Sequence, residues 1–137
     1  MRLNEISIRN GGEIIKFRAW DCNDQKMKMV SMLDWYESYG AILDEESAVT
    51  GFEDCIIMQY VGRIDNHGTE IYEGDVVLCE SGESCQGYRE YREKIVIDSI
   101  LNWQTMQILY ECEDVRVLGN IYLNPELDTT TKGLKSE

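Results

Sequence analysis

A chain of 137 residues is long enough for one domain, or for one compact domain with a small appended lobe. Its 26 Asp and Glu against 13 Lys and Arg give a formal charge of −13, which disfavours binding to nucleic acid or to anionic membranes. Hydrophobic residues make up 43% of the chain and one residue is proline, which excludes a disordered polymer and a small disulfide scaffold.

Cysteine usage and hydropathy predict an intracellular protein. The five cysteines are odd in number and form no C-x-x-C pair, so we expect free thiols in a reducing cytosol. No segment approaches the roughly 18 consecutive apolar residues of a membrane span, and the N-terminus lacks the apolar core of a signal peptide.

The first predicted element is a β-hairpin. Residues 14 to 20 alternate apolar and basic side chains with the period of a half-buried strand. Turn-forming residues follow at 21 to 25, and residues 27 to 33 predict a second strand that pairs with the first.

Residues 34 to 54 show no regular pattern and leave open a short helix, an extra strand or a long excursion. The aromatic residues of this segment are predicted to form a small satellite core rather than an exposed patch, because large apolar side chains are usually buried. They are Trp35, Tyr36 and Tyr39.

Short strands dominate the remainder of the chain. An apolar run at residues 55 to 60 predicts one strand, and EIYEGDVVLCE, which begins at Glu70, predicts two strands joined by a Gly-Asp kink. A kink of this kind lets a small sheet curl toward a barrel. A small, polar loop is expected at residues 81 to 87, and further strands are predicted at residues 93–100, 105–110 and 115–122.

These patterns predict a mainly β fold, with room for one short helix. The expected organisation is an N-terminal β-hairpin and variable segment at residues 1–54, a small, partly open β-barrel at 55–127, and a mobile tail at 128–137.

The lone histidine lies in the segment RIDNHGTEIY, which is typical of a tight hairpin turn. Asp65 can accept a hydrogen bond from the backbone two residues on, Asn66 and His67 suit the centre of a type I turn, and Gly68 tolerates a left-handed conformation. A metal site of His67, Asp65 and Glu70 would crowd three ligands into a loop tip without supporting residues. We therefore predict a structural turn and no catalytic, cofactor or metal site.

A second structural turn is expected at Gly74 and Asp75, where Asp75 satisfies nearby backbone donors. The side chains of Tyr60, Tyr72 and Glu73 lie close to this turn in the predicted hairpin and are candidate partner-binding residues. Glu70 and Glu73 point to opposite faces of a strand, so they do not form a catalytic carboxylate pair.

Three segments together resemble the YopX family of phage and prophage proteins: IKFRAWD at residues 15–21, IMQYVGRIDNHGTEIYEGDVV at 57–77, and VLGNIYLNPEL at 117–127. His67 stands where the family has an ordinary loop residue, and Val61 stands where it has threonine. Residues 34–54 and 80–114 follow no family pattern. The resemblance implies a phage or prophage origin, action in a bacterial host, and an SH3-like barrel in the C-terminal part. It implies no activity.

Two functions remain open from the sequence. The first is a non-enzymatic binding or assembly module in the bacterial cytoplasm, which contacts a host or phage protein or another copy of itself. The second is a metal-dependent hydrolase or nucleotide-binding enzyme whose carboxylates are assembled by the fold. Direct DNA binding would need a basic patch of Lys16, Arg18, Lys26 and Lys28 in an otherwise acidic chain.

Overall fold

The computed structural model describes residues 8–10, 13–36, 39–81 and 91–127. The chain divides into two compact units, Met1–Gly62 and Arg63–Glu137. The predicted loop at residues 81–87, apart from its first residue, and the predicted tail at 128–137 lie outside the described residues. Within the described part, no helix is both long and apolar enough to cross a membrane.

Most of the described residues lie in short strands, which confirms the mainly β class. In chain order the strands are β1 Ile8–Asn10, β2 Glu13–Ile15, β3 Phe17–Asp21, β4 Lys26–Tyr36, β5 Tyr39–Asp44, β6 Val49–Gly51, β7 Cys55–Ile64, β8 Glu70–Tyr72, β9 Asp75–Ser81, β10 Tyr91–Val96 and β11 Asp114–Asn120. One α-helix, α1, spans Trp103–Glu111, and 3₁₀ turns span Phe52–Asp54 and Pro125–Leu127.

The N-terminal unit contains the predicted hairpin. Strands β3 and β4 pair antiparallel with Ala19 opposite Lys28, and β3 also pairs with β7. The strand order β6-β5-β4-β3-β7 shows that the segment left open by its sequence forms the additional strands β5 and β6. Its core consists of Ala19, Val30 and Ile42, against which Phe17, Leu33, Phe52, Cys55 and Ile57 pack.

Trp35 does not join this core. Its side chain is 71% exposed, and its ring meets the edge of Phe52 with the centroids 4.8 Å apart. The predicted burial of the aromatic residues is therefore wrong for Trp35. The strand β4 continues to Tyr36, and Trp35 lies in this last part of the strand, after Val30 and Leu33, which belong to or pack against the core.

In the C-terminal unit, β9 is the central strand between β10 and β11. Val76, Val77, Cys79, Ile97, Leu109 and Val115 are fully buried, so the apolar run after the Gly-Asp kink supplies much of this core. Among the described residues β10 and β11 pair with β9 and not with each other, so the sheets are not closed into a barrel.

One predicted strand is wrong. Residues 105–110 lie in the helix α1, because Asn102 caps its first turn: Asn102 Oδ1 accepts hydrogen bonds from the amides of Gln104 at 3.1 Å and Thr105 at 3.3 Å. A short stretch with apolar side chains at four of six positions does not distinguish a strand from a helix, whereas the cap and the surrounding helix-forming residues do.

The cysteines within the described ranges are free thiols, as the cysteine pattern predicts: Cys22, Cys55, Cys79 and Cys112. Burial raises the pKa of Cys79 to about 12, and the adjacent Cys112 thiol contributes in the same direction. Cys79 is therefore a protonated core residue at neutral pH.

A buried ion cluster joins two turns of the N-terminal unit. Lys28 Nζ lies 2.8 Å from Asp21 Oδ2 and 3.4 Å from Asp44 Oδ2, and all three side chains are about nine-tenths buried. Each carboxylate also accepts hydrogen bonds from two backbone amides of the turn that follows it, Asn23 and Asp24 after Asp21, and Glu46 and Ala48 after Asp44.

These contacts keep the cluster ionised. The hydrogen bond from Lys28 is the main cause that lowers the pKa of Asp21 to about 2. Burial raises the pKa of Asp44, but hydrogen bonds from backbone amides and from Lys28 outweigh it and leave the pKa lowered. The hydrogen bond to Asp21 in turn raises the pKa of Lys28.

We expect the stability contributed by this cluster to be lost in acid. Because the folded-state pKa values of Asp21 and Asp44 lie below the unfolded value of about 4, the contribution is present above pH ~4 and disappears as the pH falls toward ~2. Urea unfolding of the wild type and of Lys28→Met across this range measures the effect. The variant should be less stable at pH 7, and the difference should shrink below pH ~4. A difference that does not change with pH would contradict the assignment.

Candidate functional site

The loop between β7 and β8 is a turn held by the Asp65 side chain. Asp65 Oδ1 accepts hydrogen bonds from the amides of His67 and Thr69, both at 2.8 Å. Gly68 has a φ of +88°, and its amide donates to the Asp65 carbonyl at 3.1 Å. The structure thus places Asp65, Asn66, His67 and Gly68 in a turn, and His67 is exposed.

The same loop also binds the edge of β11, which the sequence did not indicate. Asp65 Oδ2 accepts a hydrogen bond from the amide of Val117 at 2.9 Å. Asn66 pairs with Val115 twice: its side-chain oxygen accepts from the Val115 amide at 2.8 Å, and its own amide donates to the Val115 carbonyl at 3.0 Å. The loop therefore covers the edge of β11 that faces away from β9.

The environment of Asp65 favours its charged form. Burial raises the pKa of this carboxyl group, but the hydrogen bonds from the amides of Val117, Thr69 and His67 outweigh it, so the pKa is lowered. Both carboxylate oxygens are occupied by backbone donors. Among the described residues no group of three His, Cys, Asp or Glu side chains lies close enough together to hold a metal ion.

The turn between β8 and β9 connects several parts of the C-terminal unit. Gly74, at a φ of +92°, donates to the Ile97 carbonyl at 2.7 Å and accepts from the Ile121 amide at 3.0 Å. Asp75 is 2% exposed, and its Oδ2 accepts from the Tyr72 amide at 2.8 Å. Gly74 and Asp75 therefore do more than bend the chain, since they also anchor the segments that follow β10 and β11.

The three candidate partner-binding residues make contacts within the fold. Tyr72 is 3% exposed, and its hydroxyl donates to Glu70 Oε1 at 3.0 Å. Glu73 is partly buried and accepts a hydrogen bond from the Ile100 amide at 2.9 Å. Tyr60, in the N-terminal unit, is also partly buried, and Lys16 Nζ lies 5.7 Å from the centre of its ring. Their partner-binding role stays a prediction.

An apolar surface on α1 was missed by the sequence analysis. Trp103 is 68% exposed and Tyr110 is 51% exposed, while Leu109, on a different face of the helix, is fully buried. Trp103, Met106 and Tyr110 are spaced i, i+3 and i+7, so they line one face of the helix, and we call these three residues the α1 stripe. Met106 and Tyr110 would share a face of the predicted strand, but Trp103 lies outside its bounds at 105–110, which concealed the surface.

Both ends of α1 are fixed by side chains of the same unit. Asn102 caps the N-terminus, and its side-chain amide donates to Asp98 Oδ2 at 2.8 Å. The Arg63 guanidinium donates to the carbonyls of Leu109 and Cys112 at the C-terminus, where a positive charge also favours the helix dipole. The α1 stripe is therefore presented on a helix with two anchored ends.

Acidic side chains surround the stripe along the chain. No Lys or Arg occurs between Lys94 and Arg116, whereas four acidic residues do. They are Asp98, Glu111, Glu113 and Asp114, all exposed. Of the four cations considered for DNA binding, Lys28 contacts Asp21 and Asp44, and Arg18 is buried.

We expect Asp65→Asn to lower the free energy of unfolding by about 2 to 4 kcal/mol. Whichever way the amide is placed, its NH₂ group faces a backbone N–H, so at least one buried donor loses its acceptor and the remaining bonds lose their charge. Urea unfolding at pH 7 measures the loss. His67→Ala is the matched control, because its side chain is exposed, and it should change stability by less than about 0.5 kcal/mol. Equal effects of the two substitutions would contradict the role of Asp65.

Comparison with known proteins agrees with the three-segment resemblance. The chain is similar to the crystal structure of protein EF1440 from Enterococcus faecalis, with 23% identity and a TM-score of 0.46 over 84% of this chain and 98% of that chain. No curated protein sequence matches the chain. The family model for YopX protein matches residues 16–127, which is well over half of the sequence. The chain belongs to the YopX protein family.

Proposed function

We propose that the protein is a non-enzymatic protein-binding module, and that it binds a host or phage protein through the α1 stripe. The observation that carries this proposal is the exposure of Trp103 and Tyr110 on one face of a helix. Soluble proteins rarely leave neighbouring large aromatic side chains in water, and Trp and Tyr are the residues that most often dominate the energy of protein interfaces.

The use of the buried acids also supports a binding rather than a catalytic role. Both oxygens of Asp65 accept hydrogen bonds from backbone amides, and Asp75 holds the amide of Tyr72. These side chains are therefore occupied in maintaining the fold. The YopX resemblance adds support for a phage or prophage origin, and hence for a partner inside the bacterial host.

Substitution of the α1 stripe should abolish partner capture without unfolding the protein. We would compare tagged wild type, Trp103→Ala/Tyr110→Ala and Trp35→Ala as baits in lysate of prophage-induced host cells, with bound proteins quantified by mass spectrometry. Trp35→Ala is the matched control, since it removes an exposed tryptophan from the N-terminal unit. We expect at least about tenfold less partner on the double variant and an unchanged amount on the control.

Thermal unfolding of each bait confirms that it is folded. A partner retained by the double variant would contradict a binding role for the α1 stripe. Loss of the partner from both variants would show that binding is not confined to α1. Turnover of a small molecule by purified protein, lost on a single substitution, would contradict the non-enzymatic assignment.

A further inference from the structure

The side chains around the α1 stripe restrict the kind of partner that can bind there. The inference about that partner rests on the proposed binding function. The stripe offers two aromatic anchors, Trp103 and Tyr110, with the partly buried Met106 between them. On an α-helix these three side chains fall within about 60° of the circumference, which makes a narrow apolar ridge. A ridge of this shape fits an elongated apolar surface of another polypeptide.

The charged residues in the chain segment that contains α1 are acidic, whereas Arg63 donates to the carbonyls of Leu109 and Cys112 at the end of the helix. Asp98 precedes α1 in the chain, Glu111 is the last residue of the helix, and Glu113 and Asp114 follow Cys112; all four are exposed. Glu111 accepts a hydrogen bond from a neutral group, Gln107 Nε2 at 3.1 Å, and that contact does not neutralise its negative charge. The whole chain, these four residues included, carries a formal charge of −13. These four carboxylates outnumber the Arg63 cation, so the net charge of this group is negative.

This charge disfavours three other occupants. A second copy of the chain would bring the same acidic residues against one another, at a cost in Coulomb energy. Phosphate-rich nucleic acid and anionic lipid would be repelled for the same reason. A polypeptide whose apolar side chains are flanked by Lys or Arg complements both the apolar ridge and the carboxylates around it. Its apolar residues cover the aromatic rings, and its cations face the carboxylates.

We propose that the α1 stripe binds a cationic amphipathic segment of a partner protein, with apolar residues on the stripe and Lys or Arg residues beside Asp98, Glu111, Glu113 and Asp114. The aromatic residues supply most of the affinity. The carboxylates select for basic partners and accelerate encounter, so binding weakens as salt screens them.

The test uses a defined probe and the full chain. The probe is a fluorescein-labelled amphipathic helical peptide of leucine and arginine, and its comparator replaces every arginine by the neutral analogue citrulline. Fluorescence anisotropy gives Kd for both peptides. We expect the citrulline peptide to bind at least about tenfold more weakly, and the affinity of the arginine peptide to fall as salt is raised.

Site specificity is tested with variants of the chain. Trp103→Ala and Tyr110→Ala should each weaken binding of the arginine peptide about tenfold, and Trp35→Ala should leave it unchanged. Glu111→Gln, which keeps an acceptor for Gln107, should weaken binding by a few-fold at low salt and less at high salt.

Three outcomes would overturn this inference, and they separate it from the proposed function. Equal affinity for the two peptides, lost in Trp103→Ala, would show that the α1 stripe binds apolar segments without selecting for charge. In that case the binding function would stand and the cationic partner would not. Peptide affinity unaffected by Trp103→Ala and Tyr110→Ala would show only general attraction to an acidic protein. No detectable binding of the arginine peptide would exclude a cationic segment as the partner.

Discussion

The structure depends on hydrogen bonds from the backbone amides of turns to buried aspartate side chains. Asp21, Asp44, Asp65 and Asp75 are all buried, and each accepts at least one backbone N–H at a sharp change of chain direction. Short strands require many turns, and a buried turn leaves amide groups without water as an acceptor. A carboxylate is a strong acceptor for such groups, with each bond to a charged group contributing about 1.5 to 3 kcal/mol. A part of the acidic composition is therefore structural.

The carboxylates connect distant parts of the chain as well as closing local turns. Asp65 closes its own turn and also holds the amide of Val117, and Asn66 holds both backbone groups of Val115. In the N-terminal unit, Lys28 lies between Asp21 and Asp44 and so joins the β3–β4 turn to the β5–β6 turn. In each unit a local turn motif thus fixes a tertiary contact.

Local sequence patterns indicated the turns and most of the strands. They did not indicate contacts between residues far apart in the chain, and they did not identify the helix α1. Asp65 and Gly68 could be assigned to a turn because their contacts lie within four residues. The bond from Asp65 to Val117 spans 52 residues, and no local pattern indicates it. The strand predicted at residues 105–110 was a helix, because the cap at Asn102 decides the structure of a short apolar run. That single error also hid the α1 stripe, the candidate site.

The three segments that resemble the YopX family contain several of the residues that hold the scaffold together. Asp21 ends the first segment, Asp65, Gly74 and Asp75 lie in the second, and Asn120 in the third caps the turn that follows β11. The α1 stripe lies outside the three segments but within residues 16–127, which the family model matches. The three segments therefore describe parts of the scaffold and do not include the proposed partner surface.

Native-state hydrogen exchange of the Val117 amide tests the role of the buried aspartates most directly. This amide faces away from β9 and is held by Asp65 Oδ2, so its protection from exchange depends on that carboxylate. We expect it to exchange as slowly as the core amides of β9 in the wild type, and to become markedly faster in Asp65→Asn while the β9 amides remain protected. Slow exchange of Val117 that survives the substitution would show that the buried carboxylate does not hold the loop to β11.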